Sequence, residues 1–429
     1  MATAIGAPGG ATAGAASTGA PSGATFTGAP SGATFTGAPS GATGATPGAT
    51  ILISASPGER RIALLQGGAL VEAWVERPAH PDGVGDLQRG RIAAVAPAMA
   101  GAFVALADAQ TGFLPESESG DTRRPIAQAV NDGMVLPLRI TRAAQGGKGP
   151  RVTARLTPAE VARIAAAPPG APRLVARGPD AATRLATRHA RAAIIVDDLA
   201  LAATLRAAFG DRVRHQHAPA FDDTLEAAFD ELAGPEVPLP GGGRLLIHPT
   251  PALTAIDMDA GSAAGARGVG AVAALNLDAL PALARQIRAR NLAGPILVDF
   301  AGLSPRKRAA LGDPLKAALA PDRLVRLLGF TQLGLAEIVR DRIHPPLHEV
   351  LGWPPSALTR GLAALRQAAR EAAARPGRRL VLRATPAVHA ALEAQPGALS
   401  AFAAAAGFAL RLVPDATAHL PAVEEAPDV

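Results

Sequence analysis

Residues 251–262 read PALTAIDMDAGS and residues 276–300 read NLDALPALARQIRARNLAGPILVDF. Two short apolar runs, 253–256 and 295–298, each end on an aspartate, Asp257 and Asp299. Between them Leu280, Leu283, Ile287 and Leu292 recur at helical spacing, with Arg285, Arg288 and Arg290 interleaved. The stretch therefore predicts strand, helix, strand. A carboxylate at the end of a strand sits at the sheet's rim, where ligands bind in open α/β sheets. Two such strands side by side bring two carboxylates to one point, and Asp259 adds another oxygen donor nearby. Hard divalent cations such as Mg²⁺ take this donor set, leaving other positions to water and phosphate. The same aspartates also suit helix N-caps or turns. Spacing alone leaves both readings open.

Around this centre the chain divides by texture. Residues 1–49 are low-complexity: the unit TGAPSGATF occupies residues 18–26 and again 27–35. Such a segment buries too little apolar surface to offset its ordering entropy, so disorder is expected. Residues 50–156 show short strand patterns with Gly at the turns, as in a small β-barrel. Residues 157–245 alternate helix and strand patterns, opening on Thr157, Pro158 and Glu160 as a helix start. Residues 246–349 hold the aspartates, and 350–429 form a small C-terminal domain whose tail, EEAPDV, reads as disordered. The fold class is α/β in the α+β multidomain sense.

The 429 residues contain no Cys, which excludes disulfides and Cys-based zinc sites. This fits a cytoplasmic protein. There is no secretory leader and no run of about 18 apolar residues, so no membrane partner is expected. A net charge of +6, supplied mostly by Arg, favours a polyanionic partner. His215, His217 and His248 lack carboxylate or Cys partners at ligand spacing and read as surface residues.

The aspartate region resembles the ribonuclease E/G family of bacterial endoribonucleases. Its pattern is an Ile-Asp-x-Asn-Ser-Gly turn, an Asn-Leu-Glu-Ala helix, an Arg-x-Arg-Asp-Leu-x-Gly segment and an Ile-Asp-Phe strand. Residues 89–115, RGRIAAVAPAMAGAFVALADAQTGFLP, are similar to the family's S1-like RNA-binding barrel, and residues 327–347, LLGFTQLGLAEIVRDRIHPPL, match a further segment. The resemblance implies an S1-like OB-fold barrel joined to an RNase H-like/DNase I-like α/β catalytic region and a small C-terminal α/β domain. It implies a Mg²⁺-dependent endoribonuclease acting on single-stranded RNA in processing or decay. Asp257 and Asp299 would hold the metal and Asp259 would orient water. Phe103 and Phe113 would stack on bases, Lys148 would stand on the rim, and Arg340 would contact phosphate. The basic cluster Arg306, Lys307 and Arg308 would steer RNA.

The chain departs from the pattern at several points. Asp259 stands where the family has Asn, Ala260 where it has Ser, and Gln332 where it has Arg. The family's Val-Arg-Thr-Ala sensor of 5′-monophosphate ends is not found: Arg177 is followed by Gly178. The Cys-Pro-x-Cys zinc link between protomers is absent, so any homodimer must form by packing alone. These departures motivate a second reading, a non-catalytic RNA-binding homologue. A third, an α/β phosphohydrolase of small molecules, is opposed by the RNA-stacking aromatics.

Overall fold

A computed structural model describes residues 48–121, 123–240, 242–261 and 268–426. The repeats within residues 1–47 lie outside the described residues. Strand Thr254–Asp259 and strand Gly294–Asp299 pair in parallel, with Asp257 opposite Asp299. Helix Gly268–Ala289 lies between them in the chain. A parallel pair needs such a crossover, and the apolar periodicity of 280–292 supplies it.

These strands are the centre of a six-stranded sheet. Its order is Glu236–Pro238, Arg244–Pro249, Thr254–Asp259, Gly294–Asp299, Ala336–Arg340, Val325–Phe330. All other neighbours are antiparallel. One face is apolar: Ile256, Met258, Ile296, Val298 and Ile338 are buried in one core with Leu280, Leu283, Ile287 and Leu315. Each such side chain contributes about 1.5–3 kcal/mol on burial. The alternate positions, among them Ala255, Asp257, Leu297 and Asp299, are exposed or half-buried. The period of two thus gives the sheet a dry face and an open, polar one.

Five strands, Leu87–Ala96, Gly101–Ala105, Thr111–Pro115, Arg151–Thr153 and Val135–Arg142, close into a barrel. Closure occurs because Leu87–Ala96 pairs with both Gly101–Ala105 and Val135–Arg142. The interior is filled by Ile92, Val104, Leu114, Leu138 and Val152. The barrel expected from Gly-punctuated short strands is present.

The division expected at residue 156 is replaced by a different one. Strands Thr50–Ser56, Glu59–Gln66 and Ala69–Glu76 do not join the barrel. They form a sheet with Ala193–Val196 and Val213–His215, the barrel being inserted between its parts. Thr50–Ser56 is apolar on both faces: Ile51 and Ile53 meet the residues of helices Ala181–Arg188 and Leu199–Phe209, and Leu52 packs among Phe221, Phe229 and Leu347. A strand with two apolar faces belongs in a sheet's interior, and it takes a parallel partner there.

The C-terminal part packs helices Ala357–Ala374, Pro386–Ala394 and Ala398–Ala406 around strands Arg411–Pro414, Leu380–Ala384 and Ala422–Glu425. The acidic tail is thus corrected in part. Glu424 and Glu425 lie in a strand and pair with Arg383 and Arg378. Residues 427–429 lie outside the described residues.

An ionic knot fixes this part to the first sheet. Arg61, 2% exposed, donates two hydrogen bonds of 2.6 and 2.5 Å to Glu226, which also meets Arg370 of the long C-terminal helix. Glu59 similarly joins Arg77 at 3.3 Å and Arg366 at 3.2 Å. Among the described residues no helix is long and apolar enough to cross a membrane.

Candidate active site

Asp257 and Asp299 are register partners on adjacent parallel strands, and both stand on the sheet's open face. Neighbouring strands lie about 4.8 Å apart, so the two carboxylates share one small volume. Partial burial first, then the charges of Asp299 and Asp259, hold the Asp257 carboxyl above its ordinary pKa; His248 and Arg244 act in the opposite direction. Oδ1 of Asp299 is buried and has no hydrogen-bond donor. Two like charges this close make an arrangement that gains from a cation.

One protein cation already reaches it. Helix Pro305–Ala309 follows Asp299 closely, and Nη1 of Arg308 lies 2.5 Å from that same Oδ1, as an ion pair without hydrogen-bond alignment. The Nε of Arg308 donates to the Leu303 carbonyl at 2.8 Å, which holds the guanidinium in place. The sequence placed Arg308 in a steering cluster; the fold brings it into direct contact with an aspartate.

Asp259 is differently placed. Arg244, opposite it on the neighbouring strand, contacts its Oδ2 at 2.9 and 3.0 Å, and the Gly261 N–H donates to Oδ1 at 2.9 Å. The Gly261 N–H and Arg244 hold its carboxyl below the usual range. Asp259 therefore has its charge neutralised by the fold, while Asp257 does not.

Asn276, fully buried on the crossover helix, clamps the turn after Asp299. Its amide donates to the Ala301 carbonyl at 3.0 Å and accepts from the Ala301 N–H at 3.1 Å. A two-way bond to the N–H and C=O of one residue fixes the chain two residues past the aspartate. Glu337 shares the open face, beside Leu297, diagonal to Asp299.

Arg340 does not reach this face. It is 5% exposed and is bound by Asp322 at 2.8 Å, Asn291 at 2.5 Å and the Leu292 carbonyl at 3.3 Å. The phosphate contact expected of Arg340 is corrected to a structural role, because on Ala336–Arg340 it shares the inward parity of Ile338.

Phe103 and Phe113 are opposite one another on adjacent barrel strands, half-buried, outside the barrel core, with ring centroids 5.6 Å apart. They point outward, since Val104 and Leu114 beside them point inward. The Phe113 ring lies on Gly101: a Cβ there would fall 2.3 Å from the ring's Cζ. Lys148 is exposed in the turn that joins the last two barrel strands in sequence, bridged to Gln145. The structure thus keeps Phe103, Phe113 and Lys148 on one accessible module and Asp257 and Asp299 on another.

None of these residues lines the cavity of about 840 Å³ bounded by Trp74, Glu76, Asp82, Arg177 and Arg184. In that cavity Arg177 is held by Asp86 at 2.8 Å, and the Gly178 N–H donates to the same carboxylate at 2.7 Å. The aspartates instead occupy an open sheet face, a geometry suited to a polymer laid across it.

A model described as the ribonuclease E/G family matches residues 170–343, which include the whole six-stranded sheet. Ribonuclease G of Salmonella typhimurium (strain SL1344) is 27% identical over 401 residues, covering 71% of this chain and 82% of that protein. Ribonuclease E of Escherichia coli (strain K12) is 25% identical over 399 residues, 70% of this chain and 37% of that protein. Ribonuclease E of Nostoc sp. (strain PCC 7120 / SAG 25.82 / UTEX 2576) is 38% identical over 133 residues, 30% of this chain and 19% of that protein.

Proposed function

Because this chain belongs to the ribonuclease E/G family, we propose that it is an endoribonuclease that hydrolyses phosphodiester bonds of single-stranded RNA, in RNA processing or decay in the cytoplasm. The observation that carries the reading is the register pairing of Asp257, whose pKa is raised, with Asp299 on the sheet's open face. That donor set fits Mg²⁺, which takes one or two carboxylates and leaves its other positions to water and phosphate. When bound, the ion would activate water and neutralise charge developing on the phosphate. Asp257 and Asp299 would hold it, Asn276 keeps the Asp299 turn from shifting, and Arg308 is close enough to contact a phosphate placed there. Asp259, bound to Arg244, positions water at the rim through its remaining lone pairs.

The closed barrel is read as an S1-like OB-fold, with Phe103 and Phe113 as its stacking platform and Lys148 on its rim. The sheet of residues 50–76 and 193–215 is read as the RNase H-like part, and the six-stranded sheet as the DNase I-like part. Any homodimer forms by packing, since the chain has no Cys.

The test is cleavage of a short, end-labelled, AU-rich single-stranded RNA with Mg²⁺ and with EDTA. Cutting that stops with EDTA supports the proposal; cutting that persists in EDTA sinks the metal role. A second reading, an RNA-binding homologue without catalysis, draws on the Arg308–Asp299 ion pair, which occupies the oxygen a metal needs. Binding without cutting at any Mg²⁺ concentration would select it.

Phe113→Ala and Phe103→Ala are each expected to weaken RNA binding with little change in sequence preference. Stacking is worth about 1–3 kcal/mol per base, roughly a 5- to 150-fold rise in Kd. Fluorescence anisotropy with the same RNA measures it.

A further inference from the structure

Arg142, Arg151 and Arg342 converge at the seam where the barrel meets the six-stranded sheet. Arg142 and Arg151 are opposite one another on adjacent barrel strands. Arg342 comes from just beyond strand Ala336–Arg340, and its Nη1 lies 3.9 Å from the Cβ position of Gly146, in the turn between the two barrel strands. The seam is closed beside them by the Ala143 N–H donating to the Ile343 carbonyl at 2.8 Å. Gly294 admits Arg342: a Cβ there would fall 2.3 Å from its Nη2.

The Arg142 guanidinium feels the like charges of Arg151 and Arg342, and no counter-charge is paired with any of the three among the described residues. None makes an ion pair or a side-chain hydrogen bond among the described residues, and the Nε atoms of Arg142 and Arg151 are buried with no acceptor. Burial first, then the charges of Arg151 and Arg342, push the Arg142 pKa down. Glu349, the nearby acid, is engaged by the Gly146 N–H at 2.9 Å. Buried donors and like charges are held together at a cost, and an anion removes it.

We propose that Arg142, Arg151 and Arg342 form a phosphate-binding site for the backbone of single-stranded RNA, between the aromatic pair and the aspartates. The inference rests on the RNA-cleaving reading above. What selects a nucleic-acid backbone is the row in which the site lies. Phe103, Phe113, Arg151 and Arg142 are successive cross-strand partners on the barrel's outer face. Three steps of about 4.8 Å put stacking rings and cations side by side over roughly 14 Å. Arg342 then carries the row onto the other module. It lies at Gly294, the first residue of the strand whose last residue is Asp299. At about 3.3 Å per residue, the strand spans roughly 17 Å from the site to the aspartate. Guanidinium forks suit phosphate oxygens, and a pair of them grips two at once.

The experiment measures RNA binding against salt concentration in Ca²⁺ and EDTA buffers without Mg²⁺. It compares the unmutated full chain with Arg142→Gln/Arg151→Gln and Arg342→Gln, on RNAs bearing either a 5′-hydroxyl or a 5′-monophosphate. For single strands each lost phosphate contact lowers the salt slope by about 0.7, so the double variant should lose about 1.4 and bind at least about 10-fold more weakly. Both RNAs should be affected alike. The thermal midpoint without RNA should hold or rise, because like charges have been removed; a fall with an unchanged slope would mark a structural role and overturn the inference. A defect confined to the 5′-monophosphate RNA would assign the site to a terminal phosphate instead, and also overturns it. If the unmutated chain binds neither RNA, the RNA-cleaving reading fails as well; if it binds and the variants keep its slope, only the inference fails.

Discussion

Asp257→Asn and Asp299→Asn are each expected to lower RNA cleavage by at least about 10²–10³-fold, the scale of losing one group that stabilises the transition state. RNA binding, which we propose the barrel and the seam supply, should change little. The two variants should differ in stability. Asp257 has its pKa raised in the folded chain. Such a group binds protons more tightly folded than unfolded, so its penalty is absent below the unfolded pKa and develops as pH rises through the folded one. At neutral pH without metal, Asp257→Asn should therefore raise the thermal midpoint. Asp299→Asn removes the ion pair to Arg308 and should not raise it. The raised pKa also predicts that cleavage falls on acidification earlier than for an ordinary aspartate, because protonated Asp257 cannot ligate a cation. Single-turnover rates from pH 4 to 8 and melting curves in EDTA check all three. Equal midpoints for the two variants would contradict the electrostatic account of the pair.

Glu226→Gln should be strongly destabilising, although it lies outside the sheet that carries Asp257 and Asp299. Burial opposes its charge, yet Arg61 and Arg370 pull its pKa down to about 2. Removing the charge leaves Arg61, 2% exposed, without its counter-ion between Phe221 and Phe229. Breaking a buried pair from one side costs about 3–5 kcal/mol. The depressed pKa makes the contribution pH-dependent: it is present above the unfolded value near 4.5 and lost as pH falls toward 2. Urea unfolding at pH 7 and pH 3 should show a large difference between parent and variant at the first and less than half of it at the second. A variant as stable as the parent at pH 7 would mean that the knot contributes nothing net.

The aspartate pair was legible because everything that defines it is local. Each carboxylate ends its own apolar run, and a helix of the right period separates the runs. The closed barrel was legible from its Gly-punctuated strands. Non-local pairings were not. Residues 50–76 read as barrel strands because their partners at 193–215 lie far along the chain. The arginine seam was invisible for the same reason: Arg342 is close to Arg142 and Arg151 only through the docking of two modules. Arg340 is different, since alternation in AEIVR already places it with Ala336 and Ile338, inside. There the motif outweighed the parity. The C-terminal acids read as a free tail because Arg378 and Arg383, which neutralise them, precede them by some forty residues.

The insertion of the barrel into the first sheet has a consequence during synthesis. The hairpins of residues 50–76 leave the ribosome well before Ala193–Val196, the strand that must lie beside Thr50–Ser56. From residue 76 to residue 196 is 120 residues, or roughly 6–24 s at about 5–20 residues per second. Throughout that interval Ile51 and Ile53 lack the strand and the helix Leu199–Phe209 that cover them, while the barrel, whose strands end at Thr153, already has all the residues of its own core. The nascent chain thus has the whole barrel before it has the whole of the sheet into which the barrel is inserted, and the strands of residues 50–76 are the ones a chaperone would meet.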